Sequence, residues 1–360
     1  MKVAQFPDYR TDNPYQQLLA DALNKIGVEI SFPQGYLRGL PFSRALAGAH
    51  RVDVLHLHWL TPYLRGKNYP GNVVYALKLL LDLRLVKARG VSLVWTVHNL
   101  VSHESTTPKL EIWLSRRLAA LADALIVHSE PAKEAVINQF NVRAEKITII
   151  PHGDFADAYG EKVPRSEARR RLAIDPQVPV FLFFGMIRPY KGVENLLKTW
   201  KQTPSLHQRA LLVIAGDARD PNLATSVSLT AADNHNVHLH MKFIPDDDVP
   251  MFFGAADYVV LPFTQSLTSG SLALAQTYSV PVVAAMTEGT AKSGLKDGSL
   301  LFELNAPDGL ATALTRALVN LTSCSSGLCD APSDYNQGWT QISFLHRAVY
   351  SDSHLSMDQT

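Results

Sequence analysis

FLFFGMIRPYKGVENLLKTW, residues 181–200, changes its period halfway along. Phe181, Leu182, Phe183 and Phe184 form an unbroken apolar run of strand type that stops at Gly185. From Val193 apolar residues recur at Leu196, Leu197 and Trp200, the spacing of a helix that buries one face. Two cations, Arg188 and Lys191, stand in the turn between. A strand that feeds a basic turn and then a helix start is a seat for phosphate. The unbonded N–H groups of the first helical turn favour an anion, Arg188 offers a fork of donors, and Lys191 a compact charge. An ordinary turn with two solvated cations would look the same, so the weight falls on the rest of the chain.

Short apolar runs alternate with helical stretches on both sides of this segment, the pattern of βαβ units and parallel sheets. In the first half the runs are KVAQF (2–6), VDVLHLHW (52–59), VSLVWTVH (91–98), ALIVHS (124–129) and KITIIP (146–151). In the second they are VPVFLFFG, ALLVIAGD, VHLHMKF, ADYVVLPF and VPVVAAM. Each half therefore reads as a doubly wound α/β unit. The stretch after Pro151 has Pro, Gly and charge but no period until Ser166, and it is expected to be the linker. In SDYNQGWTQISFLHRAVY apolar residues return at Trp339, Ile342, Leu345 and Val349, which predicts a last helix with one buried stripe.

With 360 residues, 46% hydrophobic and 19% charged, the chain can bury two cores of ordinary size. It has no apolar run of about 18 residues and no signal-peptide core at its start, so a cytoplasmic protein is expected. Cys324 and Cys329 lack a second ligand pair and read as surface thiols. The net charge of +1 hides an asymmetry: residues 1–150 hold 18 Lys+Arg against 12 Asp+Glu, leaving 16 against 21 for the remainder. A basic first half suits an anionic surface or acceptor. The stretch 73–90, with Lys78, Arg84, Lys87 and Arg89 around apolar residues, reads first as a core helix with solvated cations. Peripheral contact with the inner face of a membrane is the second reading.

Ligands of open α/β sheets bind beyond the carboxyl ends of the strands. After YVVLPF comes a small, hydroxyl-rich turn, Thr268, Ser269, Gly270 and Ser271, that opens a helix at Leu272 and makes a second phosphate seat. His98 ends the run VSLVWTVH, with Glu104 soon after, where a sugar hydroxyl or a proton would be handled. His56 and His58 share one side of a strand, and His235, His238 and His240 lie close together. Neither group has a carboxylate or thiol at ligand spacing, so no metal is expected. A dinucleotide fingerprint, a P-loop and a nucleophile elbow are all missing, and no basic, aromatic-studded face suggests nucleic acid.

FFGMIRPYKGVENLL closely resembles the donor-diphosphate motif of the retaining glycosyltransferases called family 4. ITIIPHG, LVIAGD, FIPDDDVPMFFGAADYVVLPF and the last helix are similar to later parts of that family, in the expected order. The resemblance implies a GT-B fold: two Rossmann-like doubly wound α/β domains facing each other across a cleft. It implies an acceptor domain at 1–153, a donor domain at 154–335, and a helix at 336–360 that crosses back to the first domain. It further implies metal-independent transfer of a sugar, hexose by class, from a nucleotide-diphosphate sugar to a glycan, lipid-linked or polysaccharide acceptor. No cofactor is implied beyond the donor itself, and closure about residues 151–165 is expected on donor binding.

By the same resemblance Arg188 and Lys191 hold the diphosphate. Gly185, Ser269, Gly270, Ser271 and Leu272 lie along the phosphates, the backbone at Phe243 and Ile244 takes the base, and His98 touches the transferring sugar. The sequence also departs from the family. Ser266 and Leu274 stand where two glutamates eight residues apart are usual, with Glu288 as a substitute acid, and TDNPYQ replaces a glycine-rich first loop, where Asn13 and Tyr15 could line the acceptor cleft. The TSGSLALA loop also resembles inverting enzymes, and then Glu104, His98 or Asp12 would be the base. A nucleotide-sugar-binding subunit of a partner transferase, or a sugar epimerase of the same fold, stand as alternatives.

Overall fold

The computed structural model describes residues 1–11, 13–34, 39–47, 51–64, 66–102, 105–290, 295–323 and 338–355. Asp12, Glu104, Cys324 and Cys329 lie outside them. Strands that are apolar at every position need cover on both faces, and parallel sheets between helix layers provide it. The first sheet contains β1 (Lys2–Phe6), β2 (Glu29–Ser31), β3 (Val54–Leu57), β4 (Ser92–Thr96), β5 (Ala124–Val127) and β6 (Ile147–Ile149). The second contains β7 (Val180–Phe184), β8 (Leu211–Ala215), β9 (Val237–His240), β10 (Tyr258–Leu261), β11 (Val282–Ala285) and β12 (Leu300–Phe302).

The strand orders are β2-β1-β3-β4-β5-β6 and β12-β11-β10-β7-β8-β9, with every pairing parallel. The second is the doubly wound dinucleotide-binding order, and the first follows the flavodoxin-like variant. Each sheet has one point where the winding reverses, between β1 and β3 and between β7 and β10. At the second of these, Phe181 stands beside Tyr258 and Leu182 beside Val259. The sequence reading missed β2 and β12. Both are three-residue edge strands, partly exposed, without the apolar run that marks the inner strands.

Residues 1–153 and 337–360 form one compact unit, and residues 154–336 form the other. The stretch expected to be a linker belongs largely to the second unit. In it the helix Arg165–Arg171 buries Arg169 completely. Its guanidinium donates to Asp257 at 2.8 Å and to the carbonyls of Pro176 and Val178 at 2.7 and 2.8 Å. Asp257 also receives Arg165 and the amide of Val180 at the start of β7. A buried charge needs this degree of pairing, and a run of arginines does not announce it in sequence.

The last helix, Trp339–Leu355, packs on the helix Tyr15–Lys25 and on β4 within the first unit. Trp339, Ile342, Val349 and Tyr350 are buried as the spacing predicts for the first three. Leu345 is not the residue between them, however. It is half-buried, and His346 takes the inward position.

Candidate functional site

At the reversal point of the second sheet, the loops after β7 and β10 are stitched together. Gly185 follows β7 with φ +111°, and a Cβ there would meet Ser271 Oγ at 3.1 Å and Lys191 Nζ at 3.2 Å. A hydroxyl and an ammonium group thus converge over one bare backbone position, the geometry that lets an anion approach closely. Ser271 Oγ donates to the carbonyl of Phe184 at 2.8 Å, which ties the helix Gly270–Thr277 to the end of β7. Gly192, at φ +71°, opens the helix Val193–Gln202, and a Cβ there would stand 2.3 Å from the carbonyl oxygen of Pro262. The amide of Thr264 donates to Tyr190 O at 2.8 Å, a further stitch between the two loops.

Ser269 caps the helix Gly270–Thr277, its Oγ accepting the amide of Leu272 at 3.1 Å. That bond spends the Leu272 N–H on the cap. Among the described residues the amides of Gly270 and Ser271 have no protein partner and remain at the positive end of the helix.

Lys191 is half-buried, with Nζ 5.3 Å from the centroid of Phe263. Burial, and then the charge of Arg188, push its pKa down to about 8. The two cations are therefore close enough to repel, and an anion between them would relieve the cost. Arg188 directs Nε at the thioether of Met186, at 3.0 Å.

Phe243 lies three residues past β9 with its ring 72% exposed, while Ile244 beside it is buried. Ser266 and Leu274, at the positions of the family's glutamates, are both buried. Ser266 Oγ donates to Thr268 O, and its own carbonyl accepts the amide of Gly289 at 2.7 Å. The loop is thus pinned beside the turn that carries the exposed Glu288.

The first unit gathers histidines at the ends of four neighbouring strands. His58 follows β3, His98 lies just past β4, His128 follows β5 and His152 lies past β6; His56 within β3 and His346 from the last helix join them. His58 Nδ1 and His98 Nε2 are 3.2 Å apart, His98 stacks on Trp59 at 4.4 Å, and Tyr350 Oη meets His56 Nδ1 at 2.8 Å. Tyr15 sits buried among His58, His98, His128 and His152. Burial holds the rings neutral. The pKa values of His56, His58 and His98 fall well below the usual value, and those of His128, His152 and His346 fall to about 3, 4 and 4.

Sequence reading singled out His98 but missed the assembly. The available signal was that four strands in succession each run into a histidine. Among the described residues no cluster of His, Cys, Asp or Glu is arranged to hold a metal ion.

Two doubly wound parallel units are the architecture of the GT-B fold. Residues 7–153 match the model of the Glycosyltransferase Family 4 domain, and residues 178–320 match that of Glycosyl transferases group 1. The chain belongs to these group 1, family 4-like glycosyltransferases.

It is 29% identical over 344 residues to the GDP-mannose:glycolipid 4-beta-D-mannosyltransferase of Xanthomonas campestris pv. campestris, covering 95% of this chain and 88% of that protein. It is 24% identical over 368 residues to the D-inositol 3-phosphate glycosyltransferase of Thermobispora bispora, covering 95% and 79%. In fold it is similar to the sucrose-phosphate synthase of Thermosynechococcus elongatus, with TM-score 0.70, 16% identity and coverage of 100% and 98%. It is also similar to Alr3699/HepE of Anabaena in complex with UDP and glucose, with TM-score 0.64, 18% identity and coverage of 100% and 97%.

Proposed function

We propose that the second unit binds a nucleoside-diphosphate sugar at the β7–β10 reversal point, and that the chain transfers its hexose to a glycan or lipid-linked acceptor carried by the first unit. The observation that carries this reading is the convergence of Lys191 Nζ and Ser271 Oγ over Gly185. In the proposed chemistry, negative charge grows on the diphosphate as the bond to the sugar breaks. Lys191, Arg188 and the Gly270 and Ser271 amides are groups suited to neutralise it without a metal. The exposed ring of Phe243 offers the base a face to lie on. His98, held neutral by burial, serves as a hydrogen-bonding partner of the sugar rather than as a strong base.

The relative in Xanthomonas, named for GDP-mannose and a glycolipid, makes guanosine diphosphate mannose the first donor to try. A thermal-shift series with guanosine, uridine and adenosine diphosphates and their sugars tests the reading, because a ligand of the folded state raises the melting point. A rise with one base and its sugar is expected. No rise with any of them would end the proposal.

Among the described residues no helix is long and apolar enough to cross a membrane. A lipid-linked acceptor would instead be met at a surface. The helix Tyr69–Lys87 supports this by exposing Val74, Leu77, Leu81 and Leu85 along one face beside Lys78 and Arg84.

A further inference from the structure

Beside the histidines of the first unit lies a pocket. It opens past β3 and β4, between the turn after His58, the segment Asn99–Ser102 and the first turns of the helix Pro108–Leu121. Its walls carry His58, Trp59, Trp95, Asn99, Glu111 and Ser115 among leucine and valine side chains. We infer that this pocket takes a terminal sugar ring of the acceptor in neutral, unphosphorylated form, with Glu111 reading its hydroxyls. The inference rests on the glycosyltransferase reading above and names the acceptor's chemistry.

Glu111 is half-committed. Its Oε2 accepts the amide of Ser102 at 2.9 Å, which fixes the direction of the carboxylate, and among the described residues this is the carboxylate's only hydrogen bond. Oε1 is left to accept from a ligand, and a hydrogen bond to a charged oxygen is the strong kind. Trp59 is equally fixed, lying parallel to His98 at 4.4 Å and against Tyr9 at 5.3 Å. An aromatic surface held in one orientation suits the apolar C–H face of a pyranose.

Two further wall residues hold buried ring nitrogens without a partner, Trp95 Nε1 and His58 Nε2. Leaving such groups unbonded is costly. Charge decides between neutral and phosphorylated rings. No described wall residue is Lys or Arg, and the one ionised side chain is a carboxylate. Among the described residues that line the pocket, a phosphate would face Glu111 with no cation to offset it.

Ligand-detected saturation-transfer NMR on the full chain tests this, using methyl glycosides and neutral disaccharides against the corresponding sugar phosphates. Neutral rings should give signals and the phosphates none. Glu111→Gln should weaken the signal at least tenfold and Asn99→Ala several-fold, each with a parental circular dichroism spectrum. Equal binding of phosphates, parental binding by both variants, or no binding of any neutral saccharide would overturn the inference. The nucleotide thermal shift is a separate readout. Saccharide binding without a nucleotide shift would sink the donor reading and keep the pocket, and the reverse would sink the pocket alone.

Discussion

Lys191 shows how burial sets the working range of a single side chain. Its ammonium group, with pKa pushed down to about 8, is charged at neutral pH and loses its proton as the pH rises past that value. A bound diphosphate favours the charged form, so donor binding at pH 8 should be accompanied by proton uptake, and donor KM should climb above that pH. Calorimetry in two buffers of different ionisation enthalpy measures the uptake. No uptake at pH 8 would mean that Lys191 does not face the diphosphate. Arg188→Ala and Lys191→Ala should each lower kcat about a hundredfold or more, with the fold unchanged by circular dichroism.

Gly192 carries a different kind of constraint. Its φ of +71° and the Pro262 carbonyl oxygen, 2.3 Å from where a Cβ would stand, both forbid a side chain. Gly192→Ala should therefore destabilise the second unit by roughly 2–4 kcal/mol, read as a lower denaturant midpoint. The cations and Gly185 were legible in sequence because the period changes around them. The contacts of Pro262, Phe263 and Thr264 with that turn were not, since they come from the end of a strand far along the chain and depend on which strands are neighbours.

Among the elements, the helix Tyr69–Lys87 departs most from its sequence reading as a core helix. Ala76, Leu79, Leu80, Leu83 and Val86 do face the core, and Asp82 inside it accepts the amides of Phe42 and Ser43. Yet Val74, Leu77, Leu81 and Leu85 recur at helical spacing on the exposed side. A helix apolar on both faces gives no amphipathic signal in sequence, which is why the second face was hidden. Of its cations, Lys87 is taken by Asp123, while Lys78 and Arg84 flank the exposed stripe.

Leu77→Ser/Leu81→Ser and Lys78→Glu/Arg84→Glu should each reduce co-sedimentation with anionic vesicles several-fold and leave the melting temperature within a few degrees. Vesicle binding equal to the parent in both variants would remove the membrane role. The edge strands β2 and β12 tell a similar story at lower stakes, since short, half-exposed segments are recognisable only once the inner strands are placed.

At the scale of the whole molecule, the two units differ in their tolerance of acid. Rings kept neutral in the folded state take up protons only on unfolding. Stability present at neutral pH is therefore lost as the pH falls below the ordinary histidine value of 6.5, and the loss continues toward about 4, where His152 and His346 would titrate in place. Each ring held neutral in the folded state adds to this loss, and His56, His58, His98, His128, His152 and His346 all belong to the first unit. Hydrogen exchange followed by mass spectrometry should show residues 1–153 and 338–355 losing protection near pH 5 while β7–β11 keep theirs. Simultaneous loss in both units would refute this.

The doubly wound architecture was readable from alternating runs and helices. The histidine assembly was not, because it depends on four strand ends standing side by side and on the last helix delivering His346 and Tyr350 to them.

That last helix also has a consequence for synthesis. Residues 154–336 lie in the sequence between two portions of the other unit, so a ribosome releases one globule entire while its companion still lacks the piece that covers its histidines. A stop codon shortly before Trp339 should therefore yield a chain whose carboxyl-side globule matures normally and whose amino-side globule is retained by chaperones or degraded.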